Sequence, residues 1–328
     1  MNILIFSTVF FPAIGGIESQ TLLLAKEFVK KGHAVKVITE QKQVEKITDL
    51  EVYCRPGLMK SVELFLWCST FYMPNISLKG AWLLLFNPSK TWVISHNDFS
   101  SCDKKGLIPG LKNIANKFAS KNIAVSKSIA QYLGPSSAVV HNGYDDSVFK
   151  LYPEEERTFD FVFLGRLVSQ KGCELLIRAC ASLKQPFTLN IIGSGPEEQS
   201  LKALSEKLGL SNSITFSGIL TGEELARCLN RYRVMVVPSL LGEGFGMVVL
   251  EGLACGCKII AANAAGLAEA VGSHGRKFPM GDQKELTKLL EDSLLSKENL
   301  ASGDKSLQNH LKEHSKSVVS EYYLKYFK

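Results

Sequence analysis

The sequence predicts an α/β protein in which two parallel β-sheets follow one another along the chain. Short apolar segments alternate twice with segments whose apolar residues recur at helical spacing, a pattern typical of parallel sheets flanked by helices. A polar segment containing Pro153 and Glu154–Glu156 separates the two alternations near residue 150. With 328 residues, the chain is long enough for two domains that each bury a core of their own.

The first alternation opens with an apolar strand, Asn2–Ser7, and a loop that ends at Gly16. An amphipathic segment, Ile17–Lys31, and a second strand, Ala34–Ile38, follow, which is how a doubly wound parallel sheet begins. Such sheets bind ligands beyond the carboxyl ends of their strands. Gly16 is therefore a candidate ligand contact.

Two further buried strands are predicted in the first half, at Trp92–Ser95 and Ile123–Ser126. His96 follows the earlier of these strands directly. We expect the imidazole to lie just past the strand end, on the side of the sheet where ligands bind.

The second alternation repeats this pattern with five predicted strands, Phe159–Leu164, Phe187–Ile192, Ile214–Ser217, Val234–Val237 and Lys258–Ala262. Arg166 follows the first of them, and Lys171 opens the next helix. Both cations are expected at the carboxyl edge of the second sheet. An arginine fork and a lysine point charge suit a diphosphate.

The stretch from Val236 to Glu251 joins a buried strand to a helix through a turn that contains three glycines. Glycine lets the backbone approach a ligand closely, and the helix directs its positive end toward the same place. Glu243 and Glu251 flank the turn. A carboxylate accepts two hydrogen bonds at once, which suits neighbouring hydroxyls of a ribose or a hexose.

This stretch resembles the signature of the retaining glycosyltransferases of the GT-B fold, glycosyltransferase family 4, in which two glutamates enclose Gly-Phe-Gly. The resemblance implies two facing Rossmann-like domains with a cleft between them. Residues 1–150 would form the acceptor side and residues 151–300 the donor side. Residues 301–328 would contribute a helix that returns to the first domain.

The resemblance also implies roles for individual residues. The catalytic set would be Arg166, Lys171, Glu243 and His96, in which the two cations clamp the donor diphosphate and His96 contacts the transferred sugar. Glu251 would hold the ribose and Gly16 would face the diphosphate. The remaining donor contacts would come from the segment Phe245, Gly246, Met247 and Val248 and from the nucleobase edge at Gly218 and Ile219.

The implied reaction is a metal-independent transfer of a hexose from a nucleotide diphosphate sugar to a hydroxyl of a glycan, a glycolipid or a small molecule. The departing phosphate would accept the proton of the acceptor, and no cofactor is implied. UDP-linked hexoses are the first candidate donors and GDP-mannose is the second.

Three alternatives remain at this point. The first is a sugar-nucleotide epimerase, which needs no acceptor, and the second is a nucleotide-sugar-binding protein without catalysis. The third is a nicotinamide-dependent oxidoreductase, against which the first loop lacks the Gly-x-Gly-x-x-Gly pattern.

The charge of +6 lies entirely in the first half, where residues 1–150 hold 17 basic and 11 acidic side chains and residues 151–328 hold 21 of each. The basic stretch 104–122 has apolar residues at helical spacing. One interpretation is that this apolar face packs on the sheet, and the other is that it contacts an anionic membrane. The composition favours a cytoplasmic protein, either free or peripheral on the inner membrane face, with no nucleic-acid partner.

Overall fold

A computed structural model describes residues 1–13, 15–99, 106–296 and 304–328. The chain divides into two compact units. Unit 1 comprises Met1–Tyr144 and His314–Lys328, and unit 2 comprises Asp145–Glu313. The chain thus leaves unit 1 after Tyr144, shortly before the boundary expected near residue 150.

Strands and helices alternate through most of the described residues. The strands are β1 (Asn2–Ser7), β2 (Ala34–Thr39), β3 (Glu51–Cys54), β4 (Thr70–Pro74), β5 (Thr91–His96), β6 (Lys121–Ala124), β7 (Ala138–Val139), β8 (Phe159–Leu164), β9 (Leu189–Ile192), β10 (Ile214–Gly218), β11 (Tyr232–Val237), β12 (Lys258–Ala262) and β13 (Gly275–Phe278). The helices are α1 (Gly16–Lys30), α2 (Leu58–Trp67), α3 (Leu78–Ala81), α4 (Leu107–Asn116), α5 (Lys127–Leu133), α6 (Cys173–Cys180), α7 (Glu198–Lys207), α8 (Gly222–Asn230), α9 (Met247–Ala254), α10 (Ala265–Val271), α11 (Gln283–Leu295), α12 (Lys305–Glu313) and α13 (Lys316–Lys325). The segments Trp82–Phe86 and Ser169–Lys171 are 3₁₀ helices.

Unit 1 is organised around a parallel sheet with the strand order β3-β2-β1-β4-β5-β6-β7 in the described part of the chain. Both faces of this sheet are covered, which explains why its strands are continuous apolar runs. Ile3 and Ile5 pack in one buried cluster with Phe28 of α1. Leu4 and Phe6 point to the opposite face and pack in a second cluster with Phe65 of α2.

Unit 2 has its own parallel sheet, with the order β10-β9-β8-β11-β12-β13 among the described strands. Its central strands β8, β11 and β12 are buried, as Val162, Met235 and Ile260 show. Since β8 and β11 are hydrogen-bonded neighbours, the loops that follow them lie side by side at the carboxyl edge. Each unit is thus a Rossmann-like α/β domain, as the sequence predicts.

The last helix, α13, belongs to unit 1, where its apolar side chains complete the core against α1. The ring of Phe327 lies 5.3 Å from that of Phe28 and 5.4 Å from that of Tyr72. The preceding helix α12 lies in unit 2, where His310 Nε2 is 2.9 Å from the carbonyl oxygen of Ala270. The return to unit 1 therefore begins at His314 and not at residue 301.

The strand expected at Ile123–Ser126 forms two residues earlier, as β6. Ser126 instead precedes α5, and its hydroxyl accepts a hydrogen bond of 3.2 Å from the backbone N–H of Ile129. A serine at this position satisfies one of the free N–H groups at a helix start. The capping interaction of Ser126 thus ends the strand that the apolar pattern alone would extend.

We expect Phe327→Ala to lower the free energy of unfolding by about 3–5 kcal/mol, because the substitution removes a buried aromatic ring from the core of unit 1. Chemical denaturation followed by circular dichroism measures this change. Tyr322→Ala, on the exposed side of α13, is the matched control and should cost less than about 1 kcal/mol. Equal losses for both variants would contradict the packing role of Phe327.

Candidate functional site

The loop between β11 and α9 is held close to its surroundings by glycines. Gly246 precedes α9 in a left-handed conformation with a φ of +92°. A Cβ at this position would lie 2.6 Å from Leu267 Cδ1, and one at Gly266 would lie 1.9 Å from the carbonyl oxygen of Gly244. Helix α10 therefore packs directly on the loop, and larger residues at these glycines would push the two segments apart.

An ion pair joins the loop after β8 to the loop after β11. Lys171 Nζ lies 3.0 Å from Glu243 Oε1, and their side chains are 34% and 13% exposed. The hydroxyl of Ser239 donates a short hydrogen bond to the same carboxylate oxygen. Because Glu243 is largely buried, this pair is less screened by solvent than a surface salt bridge. The sequence analysis did not select Ser239. Its position directly after the proline that follows β11 is the signal that could have suggested a contact with Glu243.

The backbones of these two loops are also in direct contact. Leu240 N donates to the carbonyl oxygen of Gln170 over 2.8 Å. Gly172 has a φ of +70°, and a Cβ there would lie only 2.0 Å from the carbonyl oxygen of Pro238. This position accepts only glycine, because any side chain would collide with backbone. The position of Lys171 relative to Glu243 is therefore fixed by the main chain as well as by charge.

Arg166 follows β8, and its side chain is exposed at the carboxyl edge of the unit 2 sheet. The next residue is anchored, since Leu167 N donates to the carbonyl oxygen of Ser194 over 2.9 Å. Gly218, at the end of β10, accepts a hydrogen bond of 2.6 Å from Gly193 N, and the side chain of Ile219 beside it is exposed. The loops after four adjacent strands thus meet at this edge.

Helix α9 begins at this edge with backbone N–H groups that lack partners. Among the described residues, none accepts a hydrogen bond from the N–H groups of Gly246, Met247 or Val248. The first N–H groups of a helix carry partial positive charge and bind anions or hydroxyl oxygens. Phe245 is buried in the preceding turn and fixes its path.

Glu251 lies on α9 and is only partly exposed. Burial raises the pKa of its carboxyl group from 4.5 to about 7, because the charged form loses hydration without gaining a compensating partner. None of the described residues donates a hydrogen bond to it. Such a carboxylate is ready to accept hydrogen bonds from ligand hydroxyls.

Two of the predicted site residues lie in unit 1. Gly16 is the first residue of α1 and is exposed. His96 is the last residue of β5 and is completely buried, so the prediction that it lies past the strand end is wrong. Its Nε2 lies 2.8 Å from Asn122 Oδ1, and burial lowers the pKa of the imidazole. His96 is therefore a neutral imidazole that is hydrogen-bonded to Asn122 of the neighbouring strand β6.

A polar network that the sequence did not indicate surrounds the end of β5. Asn75 has a φ of +66°, a conformation that asparagine tolerates better than most residues. Its Oδ1 accepts from Asn97 N at 2.7 Å and its Nδ2 donates to Asp98 Oδ2 at 3.0 Å. These bonds hold the loop after His96 in place. The dipeptide Pro74-Asn75 is a turn signal, but it does not reveal the partners.

Within the described ranges, no three histidine, cysteine, aspartate or glutamate side chains gather as a metal site. Over the same residues, no helix combines the length and apolarity needed to cross a bilayer.

Comparison with known proteins connects this geometry to a family. A family model described as glycosyl transferases group 1 matches residues 146–316, which is more than half of the chain and nearly all of unit 2. An uncharacterized glycosyltransferase of Methanocaldococcus jannaschii is 34% identical over 62% of this chain. A human relative, one of the subunits of phosphatidylinositol N-acetylglucosaminyltransferase, is 22% identical over 82% of this chain. The matches span 58% and 63% of these relatives, so the chain covers less than two thirds of either one.

Solved structures support the fold over the whole chain. HepE of Anabaena, determined in complex with UDP, superimposes with a TM-score of 0.82 and 20% sequence identity. The superposition covers 99% of each chain. At this level of identity the likeness establishes the shared fold, which is the GT-B fold class expected from the sequence.

The raised pKa of Glu251 predicts a pH dependence of stability. Between pH 4.5 and about 7, the unfolded carboxyl ionises while the folded one keeps its proton, so this group makes folding less favourable as the pH rises. Glu251→Gln removes that loss. We expect the melting temperature of Glu251→Gln minus that of the wild type to be larger at pH 8 than at pH 5, when both proteins are measured without nucleotide. A difference that stays constant between the two pH values would contradict the assignment.

Proposed function

We infer that this chain, which belongs to the glycosyl transferases group 1 family, transfers a sugar from a nucleotide sugar donor to a hydroxyl group of an acceptor. The observation that supports this function most directly is the cluster at the carboxyl edge of unit 2. There an exposed arginine, a lysine–glutamate ion pair and the unpartnered N–H groups of α9 come together. The family match favours neither the epimerase nor the oxidoreductase alternative.

In this proposal Arg166 and Lys171 bind the diphosphate of the donor. As the bond between sugar and phosphate breaks, negative charge grows on the departing oxygen. Two fixed cations stabilise that charge more strongly in the transition state than in the ground state, which accelerates the reaction. Glu243 keeps Lys171 in position for this role through the 3.0 Å ion pair.

The nucleoside and the sugar would be held by α9. Glu251 would accept hydrogen bonds from the ribose hydroxyls, and ligand binding would offset the cost of ionising its buried carboxyl group. The N–H groups of Gly246, Met247 and Val248 would donate to the hydroxyls of the transferred sugar. Gly218 and Ile219 would border the nucleobase. The diphosphate contact expected of Gly16 stays a prediction.

We propose that the reaction retains the anomeric configuration and that the departing phosphate accepts the acceptor proton. The engagement of the Glu243 carboxylate with Lys171 and Ser239 argues against a covalent sugar–enzyme intermediate on Glu243, because a carboxylate with two partners is a poor nucleophile. In a retaining transfer without such an intermediate, the departing phosphate is the group left to accept the proton. We further propose that no metal is needed, since two side-chain cations can fill the role that a metal has in other transferases. The UDP in the HepE structure favours UDP-linked hexoses over GDP-mannose as donors.

The surface of unit 1 supports a lipid-linked acceptor. Ile108, Leu111 and Ile114 of α4 are exposed, at 61%, 45% and 55%, so they do not pack on the sheet, and Phe118, two residues after the helix, is 76% exposed. Further exposed apolar side chains lie on α2 and in the segment Trp82–Phe86, namely Leu58, Met59, Leu66, Leu85 and Phe86. Residues 56–90 and 106–121 contain six lysines and a single acid, Glu63.

An apolar surface with surrounding lysines is suited to an anionic bilayer, which attracts each lysine by about 1 kcal/mol. We propose that this surface rests on the cytoplasmic face of a membrane and that the acceptor is a glycolipid or a lipid-linked sugar. The name of the human relative combines a lipid, phosphatidylinositol, with N-acetylglucosaminyl transfer, which is consistent with such an acceptor. The free thiols of the described cysteines are consistent with a reducing compartment.

Calorimetric titration with UDP, UDP-hexoses and GDP-mannose tests the donor site. We expect saturable binding of a UDP compound, weakened by about 10- to 100-fold in Arg166→Ala and in Lys171→Ala, because each loses a charge-assisted contact to phosphate. Arg178→Ala, which removes an exposed arginine of α6, is the matched control. Wild-type affinity in both site variants, or no binding of any sugar nucleotide, would refute the proposed donor site. Unchanged binding and turnover in excess chelator would support a reaction without a metal. A product with the anomeric configuration of the donor would support retention.

Vesicle flotation tests the membrane surface. We expect the protein to float with anionic vesicles and to be left behind with neutral ones. Lys112→Glu combined with Lys117→Glu should reduce the anionic partition on the order of tenfold or more. The control is Lys284→Glu combined with Lys288→Glu, which makes the same charge change on α11 of unit 2. Equal recovery with both vesicle types, or equal effects of both double variants, would exclude membrane docking by α4.

A further inference from the structure

The carboxylate of Glu243 lies among the groups of unit 2 that would attract a diphosphate. Its Oε1 is 3.0 Å from the ammonium nitrogen of Lys171, and a Cβ placed on Gly246 would lie 3.6 Å from its Oε2. Gly246 directly precedes α9, whose first N–H groups carry partial positive charge. The carboxylate thus pairs with a cation through one oxygen and borders the positive end of a helix with the other. A negative charge at this position reduces the attraction of both for an anionic ligand.

Contacts on two sides hold this carboxylate in place. The hydroxyl of Ser239, which is completely buried, donates to Oε1 of Glu243. A Cβ at Gly266 would lie 1.9 Å from the carbonyl oxygen of Gly244 and 3.0 Å from that of Glu243, so α10 packs against the backbone of this turn. The side chain of Glu243 is 13% exposed. Its charge is therefore a fixed part of the site, and solvent screens it only weakly.

A phosphate bound by Lys171 would lie close to this charge. Lys171 Nζ is 3.0 Å from Glu243 Oε1, and a hydrogen bond from the ammonium to a phosphate oxygen adds about 3 Å. The two negative groups would therefore be separated by at most about 6 Å. At an effective dielectric constant of about 20, two unit charges at that distance repel each other enough to change an affinity by about 100-fold. Water in the site reduces this factor, and we expect about tenfold.

The nucleotide product of a transfer carries more negative charge than the donor does. In a nucleotide diphosphate sugar the terminal phosphate is esterified to the sugar, whereas the released nucleoside diphosphate ends in a phosphate with a second pKa of about 6. Above that pH the product bears about one additional negative charge. During the transfer itself, the charge that grows on the phosphate is balanced by positive charge on the sugar ring. Repulsion by a fixed carboxylate is therefore strongest once the sugar has left.

We propose that Glu243 sets the preference of this site for donor over product. Its charge weakens the binding of the nucleoside diphosphate more than the binding of the nucleotide sugar, and it thereby speeds the release of the product. The inference rests on the proposed transferase function, because only a transfer leaves a product to be released. The role goes beyond the positioning of Lys171, since a neutral glutamine can also accept a hydrogen bond from the ammonium. What a carboxylate adds is its charge.

Calorimetric titration of the full chain with three ligands at pH 8 tests the proposal. The ligands are UDP, UDP-glucose and the terminal methyl ester of UDP, which has the charge of a donor but no sugar. We expect the ratio of the Kd for the methyl ester to the Kd for UDP to be about tenfold larger in Glu243→Gln than in the wild type, because the extra charge of UDP no longer meets the carboxylate. The ratio of the Kd for UDP-glucose to the Kd for UDP should rise in the same way. UDP should also dissociate more slowly from Glu243→Gln in displacement kinetics. The corresponding guanosine ligands are used if the protein binds GDP instead of UDP.

Further variants separate charge from geometry. Ser239→Ala keeps the carboxylate but removes its hydroxyl partner, and Glu206→Gln neutralises an exposed carboxylate near the end of α7; both should keep the wild-type ratio. Glu243→Ala is a second variant without the charge and should show the larger ratio, and melting temperatures report which variants are folded.

The outcomes distinguish this inference from the proposed function. If the nucleotides bind but the ratio is unchanged or smaller in Glu243→Gln and Glu243→Ala, Glu243 only positions Lys171 and the inference is wrong. If the wild type binds none of the uridine or guanosine ligands, the proposed donor site is refuted and this inference with it.

Discussion

The pair of Lys171 and Glu243 is the interaction on which the candidate site depends. It joins loops that follow two neighbouring strands of one sheet, and it brings a cation to the place where α9 presents its N–H groups. The backbone contact between Leu240 and Gln170 makes this approach rigid. A ligand that entered here would meet charge and hydrogen-bond donors that need no rearrangement, which is the condition for strong electrostatic stabilisation.

Much of the fold could be predicted because each sheet is covered on both faces. Strands such as β1 and β11 are continuous apolar runs between glycine-rich turns, and this pattern is visible without any tertiary information. The location of Arg166, Lys171 and Glu243 at one edge also follows from local sequence, since residues directly after parallel strands share that edge. The 3.0 Å contact between Lys171 and Glu243 does not follow, because it depends on how two loops fold against each other.

Features that depend on long-range contacts were the ones the sequence missed. β5 extends one residue beyond the predicted strand and so includes His96, which is buried. The imidazole of His96 finds a partner in the side chain of Asn122 on the neighbouring strand. The apolar residues of α4 have the spacing of a packed helix, yet Ile108, Leu111 and Ile114 are exposed and it is Ala115 that packs against a buried cluster of unit 1. Periodicity shows that a helix has two faces, but it does not show which face meets the protein.

The assignment of α13 to unit 1 has a consequence for how the chain acquires its structure during synthesis. Unit 2 is a single continuous segment, Asp145–Glu313, and all of its strands have been made once that segment emerges. Unit 1 begins first but lacks Tyr323 and Phe327 until the whole of unit 2 has been made, so part of its core stays open to water over that time. The usual order in which N-terminal domains mature first is thereby reversed. A nascent chain of this protein would expose apolar surface on its earliest part for longest, which makes that part the expected client of chaperones.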